Sequence, residues 1–223
     1  MEKDYLKAGK IAAEALKYGA SLIKPGASWI EIADKIEKKI VDLGGGIAFP
    51  AQMSLNDVAA HFIPGLGEDI ILKDEIICLD VGAHVNGAIA DNACTIDLSG
   101  KHAELVKASR EALDEAIKLV KPGVEVRKIG EKIHEIITSY GFSPVRNLCG
   151  HGVGPYQIHT IPSLPNFDNG NTTKLEKDQV IAIEPFASTG AGLIYESGEP
   201  TVFELVNKKP VRSMITRQVL KEI

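Results

Sequence analysis

The 223-residue chain is poor in cysteine and has no excess of basic charge. Its three cysteines, Cys78, Cys94 and Cys149, form no CxxC pair. That argues against a disulfide scaffold and against a structural zinc held by thiolates. A sparse, odd set of thiols fits a reducing cytoplasm. The net charge is -5 and the isoelectric point about 5.7, so nothing favours nucleic acid or an anionic membrane. The N-terminus, Met1-Glu2-Lys3-Asp4-Tyr5, opens on charges and lacks an apolar signal core. Leu43 to Leu55 is uncharged, but it is rich in Gly and Pro and too short for a membrane helix. A last scarcity is local. Ile76 to Ile96 contains no Lys or Arg, yet Asp80 and Asp91 stand among its apolar residues. Carboxylates are costly to bury without a partner.

What is present is a hydrophobic content of 44%, enough for one large domain or for two halves around one core. The chain repeats itself. Lys24-Pro25-Gly26 recurs 97 positions later as Lys121-Pro122-Gly123. At the same offset Ala15/Ala112, Leu22/Leu119, Ile32/Ile129, Ile36/Ile133, Ile40/Ile137 and Gly44/Gly141 are identical. Solenoids need three or more repeats. Two copies about a hundred residues apart point instead to a duplicated α/β unit with pseudo-twofold symmetry.

Apolar spacing predicts a helix over 3–22. Ser28 is the expected N-cap of a second helix over 29–42, with Glu31 as its capping-box partner and Gly44-Gly45-Gly46 as its stop. Strands are expected near 47–49, 75–84 and 88–97. A second helix pair covers Lys101–Leu119 and Val126–Ser139. Strands or loops follow at 144–160, 178–186 and 191–205, with 162–175 a loop by composition. Helices alternate with blocks of strands, which gives an α+β class.

Asn86-Gly87 between alternating apolar arms is a strong hairpin signal. A two-residue turn pairs Val85 with Ala88, His84 with Ile89, Gly82 with Asp91 and Asp80 with Ala93. Asp80 and Asp91 then become diagonal neighbours on one face. Three arrangements would compensate them: a shared proton, a Lys or Arg from elsewhere, or a metal. Other residues bear on the choice. Cys149-Gly150-His151-Gly152-Val153-Gly154 sets a histidine between glycines, expected in a loop free to take positive φ. Val180-Ile181-Ala182-Ile183-Glu184-Pro185 is an apolar strand ending in a carboxylate. His61 follows Ala59-Ala60, and His159 follows Gln157-Ile158. Carboxylates with histidine suit Mn, Fe, Co or Zn at hydrolytic sites.

Asp, eleven residues, Asp, then Gly-His-Gly, then Ile-Glu-Pro resembles the pita-bread metallo-aminopeptidases. Phe49-Pro50, Ser54-Leu55-Asn56, Ala59-Ala60-His61 and Asn147 to His159 are similar to type II methionine aminopeptidases in their short archaeal form. The resemblance runs along the whole chain. It implies a single pita-bread catalytic domain over 1–223, with repeat halves of about 1–100 and 101–205 and the start of the type II helical insertion at 206–223. It implies two divalent ions, of Co, Mn, Fe or Zn. Asp80 would chelate one, Asp91 bridge both, and His151 and Glu184 hold the other. A hydroxide between the ions would attack the scissile carbonyl, with Glu184 as proton shuttle. His61 and His159 would orient the peptide and stabilise the oxyanion, and Phe49 and Ile158 would line the methionine pocket.

The implied substrate is a nascent chain with an initiator methionine and a small second residue. The implied setting is a cytoplasmic monomer that associates with the ribosome, without membrane or nucleic-acid sequence recognition. The family's second bridging glutamate, in a Gln-x-Glu-His-Thr context, has no counterpart among Glu196, Glu199 and Glu204. A fragment, a split gene and a reduced variant each account for this, and reduced activity is the expectation. The alternatives are another pita-bread hydrolase, an X-Pro aminopeptidase or prolidase, and a non-catalytic binding homologue on the same fold.

Overall fold

Two helices open the chain, α1 (Glu2–Leu22) and α2 (Trp29–Asp42), and two more follow the first sheet, α3 (Ala103–Lys118) and α4 (Val126–Ser139). The coordinates are a computed structural model, which describes residues 1–223 except Glu199, Glu204, Lys208 and Ile223, and only the backbone of Glu222. The bounds of α2 and α4 differ by the sequence offset at both ends. Gly26 (φ 85) and Gly123 (φ 88) both take left-handed backbone, which L side chains avoid. Each break is tied to a distant strand-like segment by the same set of bonds. Gly26 N–H donates to the Leu72 carbonyl, Leu72 N–H to Ala27 and Trp29 N–H to Ile70. In the second copy Gly123 N–H donates to Leu175, Leu175 N–H to Val124 and Val126 N–H to Thr173. The duplication seen in sequence is therefore a duplication of backbone geometry.

Ser28 caps α2, accepting from Glu31 N–H at 3.1 Å. The expected reciprocal bond is not made. Instead Asp69 accepts from the Ser28 hydroxyl and the Ile30 N–H, and the Glu31 carboxylate pairs with Lys35. A remote carboxylate at the helix start competes well there, because it also meets the positive end of the helix dipole.

The first half forms an antiparallel sheet of β1 (Gly46–Leu55), β2 (Ile76–Val85) and β3 (Ala88–Asp97), in that order. Its inner face packs on α1 and α2 through Ile11, Trp29, Ile36, Met53, Ile77, Leu79 and Val81. Trp29 is buried and donates its indole N–H to the Met53 carbonyl at 2.9 Å. The β2–β3 register is the one expected from the two-residue turn, with Asp80 opposite Ala93 and Gly82 opposite Asp91. Asn86 (φ 51) and Gly87 (φ 85) supply the positive φ angles of a type I′ turn. β1 is longer than expected because bulges carry it past Pro50. Phe49 pairs with Gly82 and Gln52 with Asp80, so three steps on β1 match two on β2. The Ala51 N–H beside the bulge donates to Glu37 at 3.1 Å.

The second half is less regular. β5 (Cys149–Gly154) lies between β6 (Gln157–Pro165) and the short β7 (Ile181–Ala182), and β4 (Ser143–Pro144) pairs with β8 (Ala187–Ser188). Its core gathers Ala112, Ala116, Ile129, Ile133, Ile137 and Leu164. Two expectations need correction, and 191–205 resolves to the loop reading among its described residues. Strand β6 runs into the segment read as loop, because Pro162 and Pro165 do not interrupt its pairing to β5. The strand at 178–186 shrinks to two residues. The described residues of 191–205 form no strand, and Glu199 and Glu204 lie outside the described residues. The C-terminal helical pattern becomes α5 (Met214–Glu222).

Gly26→Ala and Gly123→Ala each meet open space but must hold a left-handed φ. We expect each to cost about 1–2 kcal/mol, and the two losses to agree closely, as read by urea unfolding.

Candidate metal centre

The two halves meet where β3 contacts β5. Asp80 and Asp91 enter from the hairpin of the first half. His151 enters from the centre of β5, and Glu184 from the chain just past β7. His151 pairs with Ala182 in register, so the carboxylate two residues on projects beside the imidazole. His151 Nε2 lies 2.9 Å from Glu184 Oε1 and 3.5 Å from Asp91 Oδ2. The ligand atoms of Asp91, His151 and Glu184 all lie within 4.8 Å of one another. On the other side of the ring, Nδ1 lies 2.9 Å from the Gly152 carbonyl oxygen, which accepts its proton and turns Nε2 to the carboxylates. The segment carrying Glu184 is held in turn by Ser109 of α3, whose hydroxyl donates to the Pro185 carbonyl at 2.6 Å.

His151 corrects one expectation. It is buried in a strand, and neither neighbouring glycine has positive φ. The glycines are there for space. A Cβ on Gly150 would stand 2.2 Å from the Ala182 carbonyl oxygen, and one on Gly152 would stand 2.1 Å from that of Ile161. His159 also lies in a strand, β6, at a bulge between Gln157 and Thr160 that also carries Ile158. Only His61 is in a loop, with φ 60. The three rings form a row: His159 is 4.5 Å from His151 and 6.4 Å from His61 between centroids. Phe49 lies across Gly82, whose missing side chain leaves the room for its ring.

The charges are not balanced by any Lys or Arg ion pair to these carboxylates among the described residues. Burial, with the charges of Asp91 and Glu184, holds the Asp80 carboxyl well above the usual carboxylate range. Burial alone would lower His151, but hydrogen bonds to Asp91 and Glu184 overcome it and push its pKa up to about 10. Burial and the His151 charge lower His159. Asp80 Oδ1 is buried with no hydrogen-bond partner among the described residues. Such an atom is costly to leave unmatched. A donor set of three carboxylates and one imidazole, including this orphaned oxygen, fits a hard or borderline divalent cation. Cys78 lies two residues from Asp80 on the same strand face, but burial pushes its thiol up to about 12, so it offers no thiolate.

Sequence reasoning missed Gln52. It is buried, stands directly opposite Asp80, and its Oε1 also has no partner among the described residues. Its only sequence signal was the nearby proline, which marks the bulge that sets its face.

The profile of metallopeptidase family M24 matches residues 3–209. A methionine aminopeptidase of Archaeoglobus fulgidus is 45% identical over 219 residues, 98% of this chain and 75% of that protein. One of Methanocaldococcus jannaschii is 39% identical, covering 98% of this chain and 74% of that protein. Among solved structures, a methionine aminopeptidase of Thermotoga maritima superposes with a TM-score of 0.82 at 30% identity, covering 90% of this chain and 84% of that one. A prolidase of Pyrococcus horikoshii gives 0.70 at 26% identity, covering 82% and 53%.

Metal ligands must lose their protons, so a divalent cation entering this cluster displaces protons from His151 and Asp80. Titration of the chain with Mn2+ at pH 7.5, in buffers of different ionisation enthalpy, is expected to show release of about one to two protons. The apparent affinity is expected to rise with pH, because protonated ligands compete at low pH. Binding without proton release would contradict the charge assignments.

Proposed function

The chain belongs to metallopeptidase family M24, and from that premise we propose that it removes the initiator methionine from proteins whose second residue is small. It is a metal-dependent aminopeptidase on the pita-bread fold, a hydrolase that uses divalent metal ions. Its substrate is a peptide or protein N-terminus. The observation that carries the reading is the convergence of Asp91, His151 and Glu184 from both halves, with the Asp80 carboxyl near enough to feel the charges of all three.

Asp80, Asp91, His151 and Glu184 would hold two metal ions. When bound, these ions supply Lewis acidity toward the scissile carbonyl and a nucleophile from water near neutral pH. The rest of the chemistry belongs to side chains. Glu184 takes the proton of the attacking water and delivers it to the departing amine. His159, held neutral at neutral pH, donates an N–H to the oxygen of the tetrahedral intermediate, and His61 orients the peptide beside it. Phe49 and Ile158 line an apolar slot that suits an unbranched thioether and excludes water. Residues 1–223 act as one catalytic unit of two related halves, in which α5 begins a helical insertion. The setting is a cytoplasmic monomer that meets nascent chains at the ribosome. The free, part-buried Cys78 and Cys94 fit that reducing compartment. The described helices include none long and apolar enough to cross a membrane.

The prolidase likeness keeps one alternative in play, and a substrate panel separates the two. We expect Mn2+- or Co2+-dependent release of methionine from a Met-Ala-Ser peptide, lost with a chelator, and no cleavage of X-Pro dipeptides. The reverse preference would overturn the proposal. His159→Ala is expected to lower kcat by about 10²–10³ with little change in KM or in bound metal.

A further inference from the structure

Two residues that pair across the first sheet each carry a buried oxygen with no hydrogen-bond partner among the described residues: Gln52 Oε1 and Asp80 Oδ1. Gln52 pairs with Asp80 across β1 and β2. Directly opposed residues in an antiparallel pair share a face and hold their Cβ atoms about 4.5–5.5 Å apart. Gln52 owes this place to the bulge at Pro50. An unshifted register would set it one position away and turn it to the other face. Gln52 is also only 4% exposed, whereas glutamines mostly sit at surfaces. An uncompensated buried amide is destabilising, so its burial calls for a partner.

Two acceptors cannot satisfy each other. A half-turn of the Gln52 carboxamide about its last torsion exchanges Oε1 for Nε2 and turns an opposed pair of acceptors into a donor and an acceptor. We propose that Gln52 is a positioning residue for the metal centre: its amide N–H donates to Asp80 Oδ1 and fixes the carboxylate for the cation. Oδ1 has two lone pairs, so accepting from the amide would leave one free for a cation. Outer groups that hydrogen-bond to metal ligands orient them and tune their affinity. Gln52 fills that position for Asp80, whose Oδ1 has no partner among the described residues. The role rests on the assignment of Asp80 to the metal made above.

The test is calorimetric titration of the full chain with Mn2+ at pH 7.5, for the wild type, Gln52→Met and Gln52→Asn. Methionine keeps the length and removes the donor. Asparagine keeps the amide but is one methylene short. We expect Mn2+ to bind about 10–100-fold more weakly to Gln52→Met, with a smaller loss for Gln52→Asn. At saturating Mn2+ the KM for a Met-Ala-Ser peptide is expected to stay unchanged. The unfolding midpoint of Gln52→Met in chelator is expected to fall, because Asp80 Oδ1 loses its donor. Wild-type Mn2+ affinity in either folded variant would overturn the proposal, so a Gln52→Met chain that fails to fold leaves the test standing on Gln52→Asn. A raised KM at unchanged Mn2+ affinity would overturn it too, by placing Gln52 against the substrate. A wild type that binds Mn2+ but releases no methionine would refute the proposed function alone. A wild type that binds no Mn2+ would refute both.

Discussion

Mutual repulsion among three partly buried carboxylates in apolar surroundings is the constraint around which the molecule is arranged. Asp80, Asp91 and Glu184 converge with a single histidine and no Lys or Arg ion pair among the described residues. Such a cluster is stable only with protons or a cation on it. The raised pKa values of Asp80 and His151 express the first solution, and a divalent ion supplies the second without giving up the anionic ligands that chemistry needs. The catalytic potential and the energetic liability are thus the same feature.

The duplicated frame makes this cost bearable. Each half has its own core, a helix pair and a tether pinned by the same three backbone bonds. The site lies between two stable halves, so neither half has to bury the whole charge cluster. The first half offers a regular hairpin and the second a strand flanked by close backbone neighbours. Gly150 and Gly152 let β6 and β7 approach β5 closely enough for His151 to reach Asp91 and Glu184. The hairpin tips also meet, since Tyr156 donates its N–H to the Gly87 carbonyl at 2.9 Å and sets its ring against His84.

Much of this was legible before the structure because it depends on local rules. Asn86-Gly87 dictated the register that puts Asp80 and Asp91 on one face, and the repeat of Lys-Pro-Gly predicted two matching helix pairs. What was not legible depended on distant contacts. The glycines around His151 were read as a sign of positive φ, but they answer to backbones about ten and thirty residues away in sequence. Asp69 replaced Glu31 at the start of α2 for a similar reason, since no local pattern announces a partner 41 residues on. Gln52 was invisible because its orientation turns on a bulge, and bulges shift faces without changing composition.

The claim that a cation resolves the carboxylate repulsion is most directly tested by thermal unfolding of the wild type and Asp80→Asn at pH 8, with chelator and with excess Mn2+. A carboxyl with a raised folded pKa favours the fold while protonated, and penalises it progressively as pH rises above the unfolded value. Asn mimics the protonated side chain, so the account predicts that Asp80→Asn unfolds at or above the wild-type temperature in chelator. It also predicts that Mn2+ raises the midpoint of the wild type strongly and that of the variant much less. A variant that is less stable than the wild type in chelator, and that keeps the full Mn2+ shift, would contradict it.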